Sequence, residues 1–169
     1  MRVKALFMDV DGTLTDGKVY LSAQGELMKA FDVKDGYAIN HLGPYAIVPV
    51  IITGRNSRIL ERRCEEINIK ELHQGVTEKA AKMLEVCERL GVKPEECAYI
   101  GDDVIDLECI GLCGLSGCPS DAIGKVRESV DYVCKAKGGA GAVREFCDYF
   151  LSLDGRPGFD EMLKVNKNK

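Results

Sequence analysis

The chain reads as an α/β protein, a doubly wound, Rossmann-like parallel sheet, on three observations. Short apolar runs end abruptly in polar residues, as at Leu6-Phe7-Met8-Asp9 and Val50-Ile51-Ile52-Thr53. Segments with apolar residues at helical spacing alternate with those runs. Strands that alternate with helices specify parallel pairing, because each crossover must carry the chain back to the same edge of the sheet.

Val3 to Asp9 is the first buried strand. Lys18 to Leu21 and Leu27 to Phe31 form a hairpin turning through Ser22-Ala23-Gln24-Gly25. A helix follows from Asp35 to about Leu42, and Ala46 to Thr53 is the next strand, with Pro49 marking an irregular position. From Ser57 the residues Leu60, Cys64 and Ile67, and from Thr77 the residues Ala80, Met83, Leu84, Cys87 and Leu90, mark two amphipathic helices, the second closed by Gly91. Ala98 to Gly101 is a third strand, ending in Asp102-Asp103 before a short helix. Leu112 to Leu115 and Tyr132 to Cys134 supply short strands, and Ala142 to Phe150 a last helix. Residues 1–152 make one domain with a hairpin insertion over 17–31, and 153–169, polar and Lys-rich at the end, are expected as a mobile tail.

At 169 residues the chain suits a single domain with a real core. Its 23 basic and 27 acidic residues give a net charge of −4, which argues against broad nucleic-acid binding. No apolar run approaches membrane-spanning length and no basic, then apolar, leader opens the chain, so a cytoplasmic protein without a membrane partner is expected. The eight cysteines contain no Cys-x-x-Cys pair and both histidines lie far from them, so buried reduced thiols are expected in place of zinc or disulfides.

Four polar clusters stand at strand or helix ends. Asp9 and Asp11, two residues apart, repel each other unless a cation or a shared proton relieves them, and Mg²⁺, a hard cation that prefers oxygen, is suited to the task. An Asp-Val-Asp-Gly turn on the surface is the other reading. Thr53-Gly54-Arg55 sets a hydroxyl and backbone N–H groups before a helix, either as a phosphate seat or as a cap. Lys79 stands in the first turn of its helix, where a cation opposes the dipole unless an anion is held there. Solvation of Lys79 beside Glu78 is the alternative. In Gly101-Asp102-Asp103-Val104-Ile105-Asp106, Asp102 can complete a metal site begun at Asp9. Asp103 and Asp106 can fix Lys79 and metal-bound water from behind, although Asp103 is also explained as a helix cap.

The order Asp-x-Asp-Gly-Thr, strand-Thr, Lys, Gly-Asp-Asp-x-x-Asp is similar to the four motifs of the haloacid dehalogenase superfamily. That resemblance implies the corresponding fold, Asp9 as the nucleophile forming an aspartyl-phosphate, and Asp11 as general acid/base. It further implies Thr53, Gly54 and Lys79 as phosphoryl-binding residues, and Asp9, the Asp11 carbonyl and Asp102 as Mg²⁺ ligands. Neither the segment from Asp11 to Thr53 nor that from Lys79 to Asp102 has room for a cap domain.

A finer resemblance rests on Asp16-Gly17, Gly25-Glu26, Lys29 to Tyr37, Ile52 to Arg55, Arg62-Arg63-Cys64, Gln74-Gly75, Tyr99 to Asp103 and Lys137 to Glu145. These look like the 3-deoxy-D-manno-octulosonate 8-phosphate phosphatases, capless homotetramers whose hairpins form a central barrel and whose neighbouring chains cover each site. The resemblance implies Arg55, Arg63, Asp32, Val33, Lys34, Asp35 and Gly36 as substrate contacts, the Arg residues suited to a sugar acid's carboxylate. Asn40 departs from that family, which tends to place Arg there. Related enzymes act on nonulosonate 9-phosphates, but Arg55 keeps the octulosonate-type pattern. A signalling receiver domain shares the acidic cluster, Thr and Lys, but there the phosphoacceptor follows a later strand.

Overall fold

The computed structural model describes residues 2–161. Six strands, β1 (Ala5–Met8), β4 (Val48–Ile52), β5 (Glu71–His73), β6 (Cys97–Ile100), β7 (Leu115–Cys118) and β8 (Tyr132–Val133), form one sheet in the order β5-β4-β1-β6-β7-β8. Every pairing in it is parallel. The separate antiparallel hairpin is β2 (Tyr20–Ser22) with β3 (Gly25–Met28). The helices are α1 (Val33–Asn40), α2 (Arg58–Glu66), α3 (Lys79–Leu90), α4 (Leu107–Leu112), α5 (Gly124–Arg127) and α6 (Ala142–Leu153).

Period-two alternation along β1 builds both halves of the core. Leu6 and Met8 enter the layer beneath α1, α2 and α6, with Ile39, Leu60, Phe146 and Phe150. Ala5 and Phe7 enter the layer beneath α3, α4 and α5, with Met83, Val86, Tyr99 and Ile110. A strand covered on both faces reads as a continuous apolar run, which is why β1 is so plain in the sequence.

The strand order reverses at β1, which has β4 on one side and β6 on the other. In open α/β sheets a crevice forms at such a switch point, outside the carboxyl ends of the strands. Register places Met8 opposite both Ile51 and Ile100, so the residues just beyond, Asp9, Thr53 and the Gly101-Asp102 pair, emerge together.

Several boundaries differ from expectation. The strand expected over Leu112 to Leu115 begins at Leu115, because Leu112 continues the pattern of α4 and Gly114 makes the turn, its N–H bonded to the Cys97 carbonyl at 3.0 Å. β5 was not anticipated, being a three-residue, half-exposed edge strand without an apolar run, nor was the single turn of α5. Helix α1 starts two residues early, at Val33, because Asp32 caps it and accepts from the Lys34 N–H at 2.7 Å. All eight cysteines are free, and seven are buried.

Of the stretch expected as a tail, 154–161 lies against the domain. Arg156 donates to the carbonyls of Tyr45 and Val3, each at 3.1 Å, and the Tyr45 hydroxyl donates to the Pro157 carbonyl at 2.9 Å. Phe159 is 2% exposed and packs edge-on to Tyr37 and Tyr45. A buried aromatic ring offsets the entropy of ordering this segment. Residues 162–169 lie outside the described residues.

Candidate active site

At the head of β1, Asp9 is buried, and its backbone N–H bonds to the Ile100 carbonyl of β6 at 3.0 Å. Lys79, the first residue of α3, reaches back so that its Nζ donates to Asp9 Oδ1 at 2.6 Å and Asp106 Oδ1 at 2.8 Å. Two carboxylates therefore pair with the buried ammonium, in place of a solvated lysine beside Glu78. Burial opposes the charge on Lys79, yet Asp9 and Asp106 outweigh it and hold its pKa above the ordinary lysine value.

Asp106 is fully buried and fully engaged. Besides Lys79, its Oδ1 accepts from the Tyr99 hydroxyl at 2.6 Å, and its Oδ2 accepts from the backbone N–H groups of Asp102 and Asp103 at 3.0 and 3.2 Å. It thus orients Lys79 and shapes the loop that carries Asp102. Asp103 instead caps the short turn after β6, accepting from the Val104 N–H at 2.7 Å on the exposed side. The simpler of its two sequence readings describes its contacts.

Oxygens of Asp9, Asp102 and Asp106 lie within 4.8 Å of one another. Burial first, then the charge of Asp106, pushes the Asp9 pKa up to about 6 against the pull of Lys79. Burial and Asp9 push Asp102 up to about 7, although the Thr13 hydroxyl donates to it at 2.8 Å. Carboxylates held together at such a cost with only hard oxygen donors suit a divalent cation, whose charge would replace the protons. Gly12 makes this approach possible: its φ of 102° is left-handed, and a Cβ there would lie 2.1 Å from Asp102 Oδ2.

Asp11 faces the other way, toward the hairpin. Its Oδ1 pairs with the ammonium of Lys29, which also lies 3.2 Å from Glu26 Oε1. Arg55 Nε is 3.8 Å from Asp11 Oδ2, and that oxygen is buried with no hydrogen-bond partner. Glu26 in turn accepts from the Ser57 hydroxyl, the cap of α2. In the sequence Lys29, Glu26 and Tyr99 stand only within the octulosonate-type resemblance and Ser57 only at a helix start, with no contact to Asp11 or Asp106 expected of any of them. A lysine just past a short, mostly exposed hairpin strand carries no periodic signal of its own.

Thr53 is buried at the end of β4, its N–H bonded to the His73 carbonyl at 2.9 Å, and Gly54 follows it beside the Val76 carbonyl. The remaining expected substrate contacts do not join this cluster within one chain. Arg63 pairs with Glu66 at 2.7 Å and lies over the Phe31 ring, and it passes so close to Gly36 that a Cβ there would be 2.2 Å from Nη2. Asp32 is the α1 cap, while Val33 and Lys34 are exposed. Asp35 is buried and accepts from the Arg144 N–H at 2.7 Å, at the start of α6.

Comparison with known proteins places the fold. A haloacid dehalogenase-like hydrolase profile matches residues 38–114. The 3-deoxy-D-manno-octulosonate 8-phosphate phosphatase of Escherichia coli K12 is 41% identical over 154 residues, 91% of this chain and 82% of the relative. The chain belongs to the haloacid dehalogenase-like hydrolases and is a phosphoric monoester hydrolase.

Within that family its likeness is to the octulosonate phosphatases. The Yersinia pestis enzyme superposes with a TM-score of 0.88 at 42% identity, covering 91% of this chain and 83% of that one. The enzyme from Moraxella catarrhalis, solved with magnesium, phosphate and 3-deoxy-D-manno-octulosonate (KDO), superposes with a TM-score of 0.90 at 35% identity, covering 96% and 92%.

Proposed function

We propose that the chain is a Mg²⁺-dependent phosphatase of a 2-keto-3-deoxy sugar acid phosphate, 3-deoxy-D-manno-octulosonate 8-phosphate above others. The observation that carries this reading is the buried Asp9–Lys79–Asp106 cluster with Asp102 beside it at the switch point. It holds an aspartate against a cation where an incoming phosphate dianion would otherwise be repelled.

In this reading Asp9 attacks phosphorus and the ester P–O bond breaks. Asp11 protonates the departing alkoxide, leaving an aspartyl-phosphate on Asp9. Asp11 then takes a proton from the water that attacks that phosphorus, and the Asp9 carboxylate is restored. Lys79, Thr53 and the N–H of Gly54 bind phosphoryl oxygens, and Asp106 keeps Lys79 aimed. Asp9, the Asp11 carbonyl and Asp102 would hold Mg²⁺, which neutralises charge developing on the phosphoryl group.

Arg55 and Arg63, with the 32–36 segment, would read the sugar acid, and a neighbouring chain would bring or complete that surface. The exposed apolar residues Val19, Leu21, Leu27 and Met28 on the hairpin support a tetramer joined through Lys18 to Phe31. A cytoplasmic location accords with the absence, among the described residues, of a helix long and apolar enough to cross a membrane. Nonulosonate 9-phosphates are the second reading, favoured by Asn40, which here bonds to Asn68 at 2.8 Å and presents no cation.

Phosphate release should be measured across octulosonate 8-phosphate, nonulosonate 9-phosphates and generic phosphomonoesters, with light scattering for assembly. The proposal expects the octulosonate ester to lead and the active species to be a tetramer. Arg63→Ala should weaken the sugar acid ester far more than p-nitrophenyl phosphate. Equal loss on both, or an active monomer, would contradict it.

A further inference from the structure

The hairpin contains one residue that does not behave like its neighbours. Val19, Leu21, Leu27 and Met28 are 46–65% exposed, whereas the Lys29 side chain is 4% exposed, with its ammonium between Asp11 Oδ1 and Glu26. Glu26 is bound by Ser57, whose Oγ also accepts from the Leu60 N–H at 3.1 Å, so contacts run without a break from Asp11 to the first turn of α2. An ammonium taken out of water is costly unless it is well paired, and here its acceptors fix its place.

We infer that Lys29 is a positioning residue for Asp11: it engages Oδ1 and so leaves Oδ2 as the oxygen that meets the leaving group. Oδ2 is the buried oxygen with no hydrogen-bond partner, with the half-exposed Arg55 to one side. The hairpin then does more than offer an apolar surface, because it sets the direction of a carboxylate that belongs to the β1 loop. The inference rests on the phosphatase reading, with Asp11 assisting departure of the alkoxide.

The test exploits the leaving group. An alkyl phosphate needs a proton delivered to its departing oxygen, whereas p-nitrophenolate leaves without one, and kcat/KM reports only the steps through that departure. Lys29→Met should lower kcat/KM by about 10- to 100-fold on an alkyl phosphate, the scale of a misaimed catalytic group, and by much less on p-nitrophenyl phosphate. Lys29→Arg should restore most of the alkyl activity, and thermal melting would show that both variants fold. Equal losses on the two esters would make Lys29 an anchor only, and no loss on either would remove the assignment. A wild-type protein that hydrolyses neither ester would overturn the phosphatase reading and this assignment with it.

Discussion

Gly138→Ala probes how closely the loop after β8 supports the loop from Asp9 to Thr15. A Cβ on Gly138 would lie 1.9 Å from the Gly12 carbonyl oxygen and 2.9 Å from that of Thr15. Ordinary contact begins at 3.4 Å, so the two loops would have to separate by roughly 1.5 Å, and overpacking of this kind costs about 1–3 kcal/mol of stability. The displaced atoms matter more than the stability. Gly12 joins Asp11 to Thr13, the Gly139 N–H donates to the Thr13 carbonyl at 3.0 Å, and the Thr13 hydroxyl holds Asp102. A misplacement of about 1 Å can reduce turnover about 100-fold, equivalent to about 2.7 kcal/mol in the barrier, so kcat should fall at least that far. Phosphate release should be measured well below the melting temperature. Gly111→Ala serves as control, since open space surrounds that helical glycine. A Gly138→Ala protein with wild-type kcat would refute the idea that this contact fixes the site.

Two other perturbations follow from the charges. Burial pushes Asp35 up to about 6 from 3.8, against the backbone N–H groups of α6, and its Oδ2 has no partner. The folded state therefore keeps a proton that the unfolded chain releases, so stability falls as pH rises from about 4 to 6, by up to about 3 kcal/mol in total. Asp35→Asn should melt above the wild type at pH 8 and converge with it near pH 4; a lower melting temperature at pH 8 would contradict this. Adding Mg²⁺ should raise the melting temperature at pH 8 and much less at pH 5, since Asp9 and Asp102 must shed protons to bind it. A metal shift that is larger at pH 5 would count against the site.

Where a single local rule governed a segment, the sequence was sufficient. The unbroken apolar run of β1, the spacing of Leu60 and Cys64 in α2 and of Met83 and Cys87 in α3, and the glycine that closes α3 all reappear in the structure. Lys79 stood out because a cation opening a helix opposes the dipole, and in the structure Asp9 and Asp106 pair with it. Edge strand β5 was not, since three half-exposed residues carry no pattern; its pairing with β4 comes from tertiary packing. Phe159 was hidden in a polar stretch, and only the aromatic surface of Tyr37 and Tyr45 gives it a place. Lys29 opens a stretch that carries the octulosonate-type resemblance, but its contact was hidden because its partner, Asp11, lies 18 residues away. Asp35 and Arg63 show a further limit: the resemblance implies both as substrate contacts, while within one chain they contact α6 and Glu66.

The proposed function stands or falls on whether Asp9 carries the phosphoryl group. Acid quenching during steady turnover of a phosphate monoester, followed by peptide mass mapping, tests it most directly. One added phosphoryl group is expected on the peptide bearing Asp9, and both it and phosphate release should be absent from Asp9→Asn. Undiminished release by Asp9→Asn, or a phosphoryl group on another residue, would contradict it.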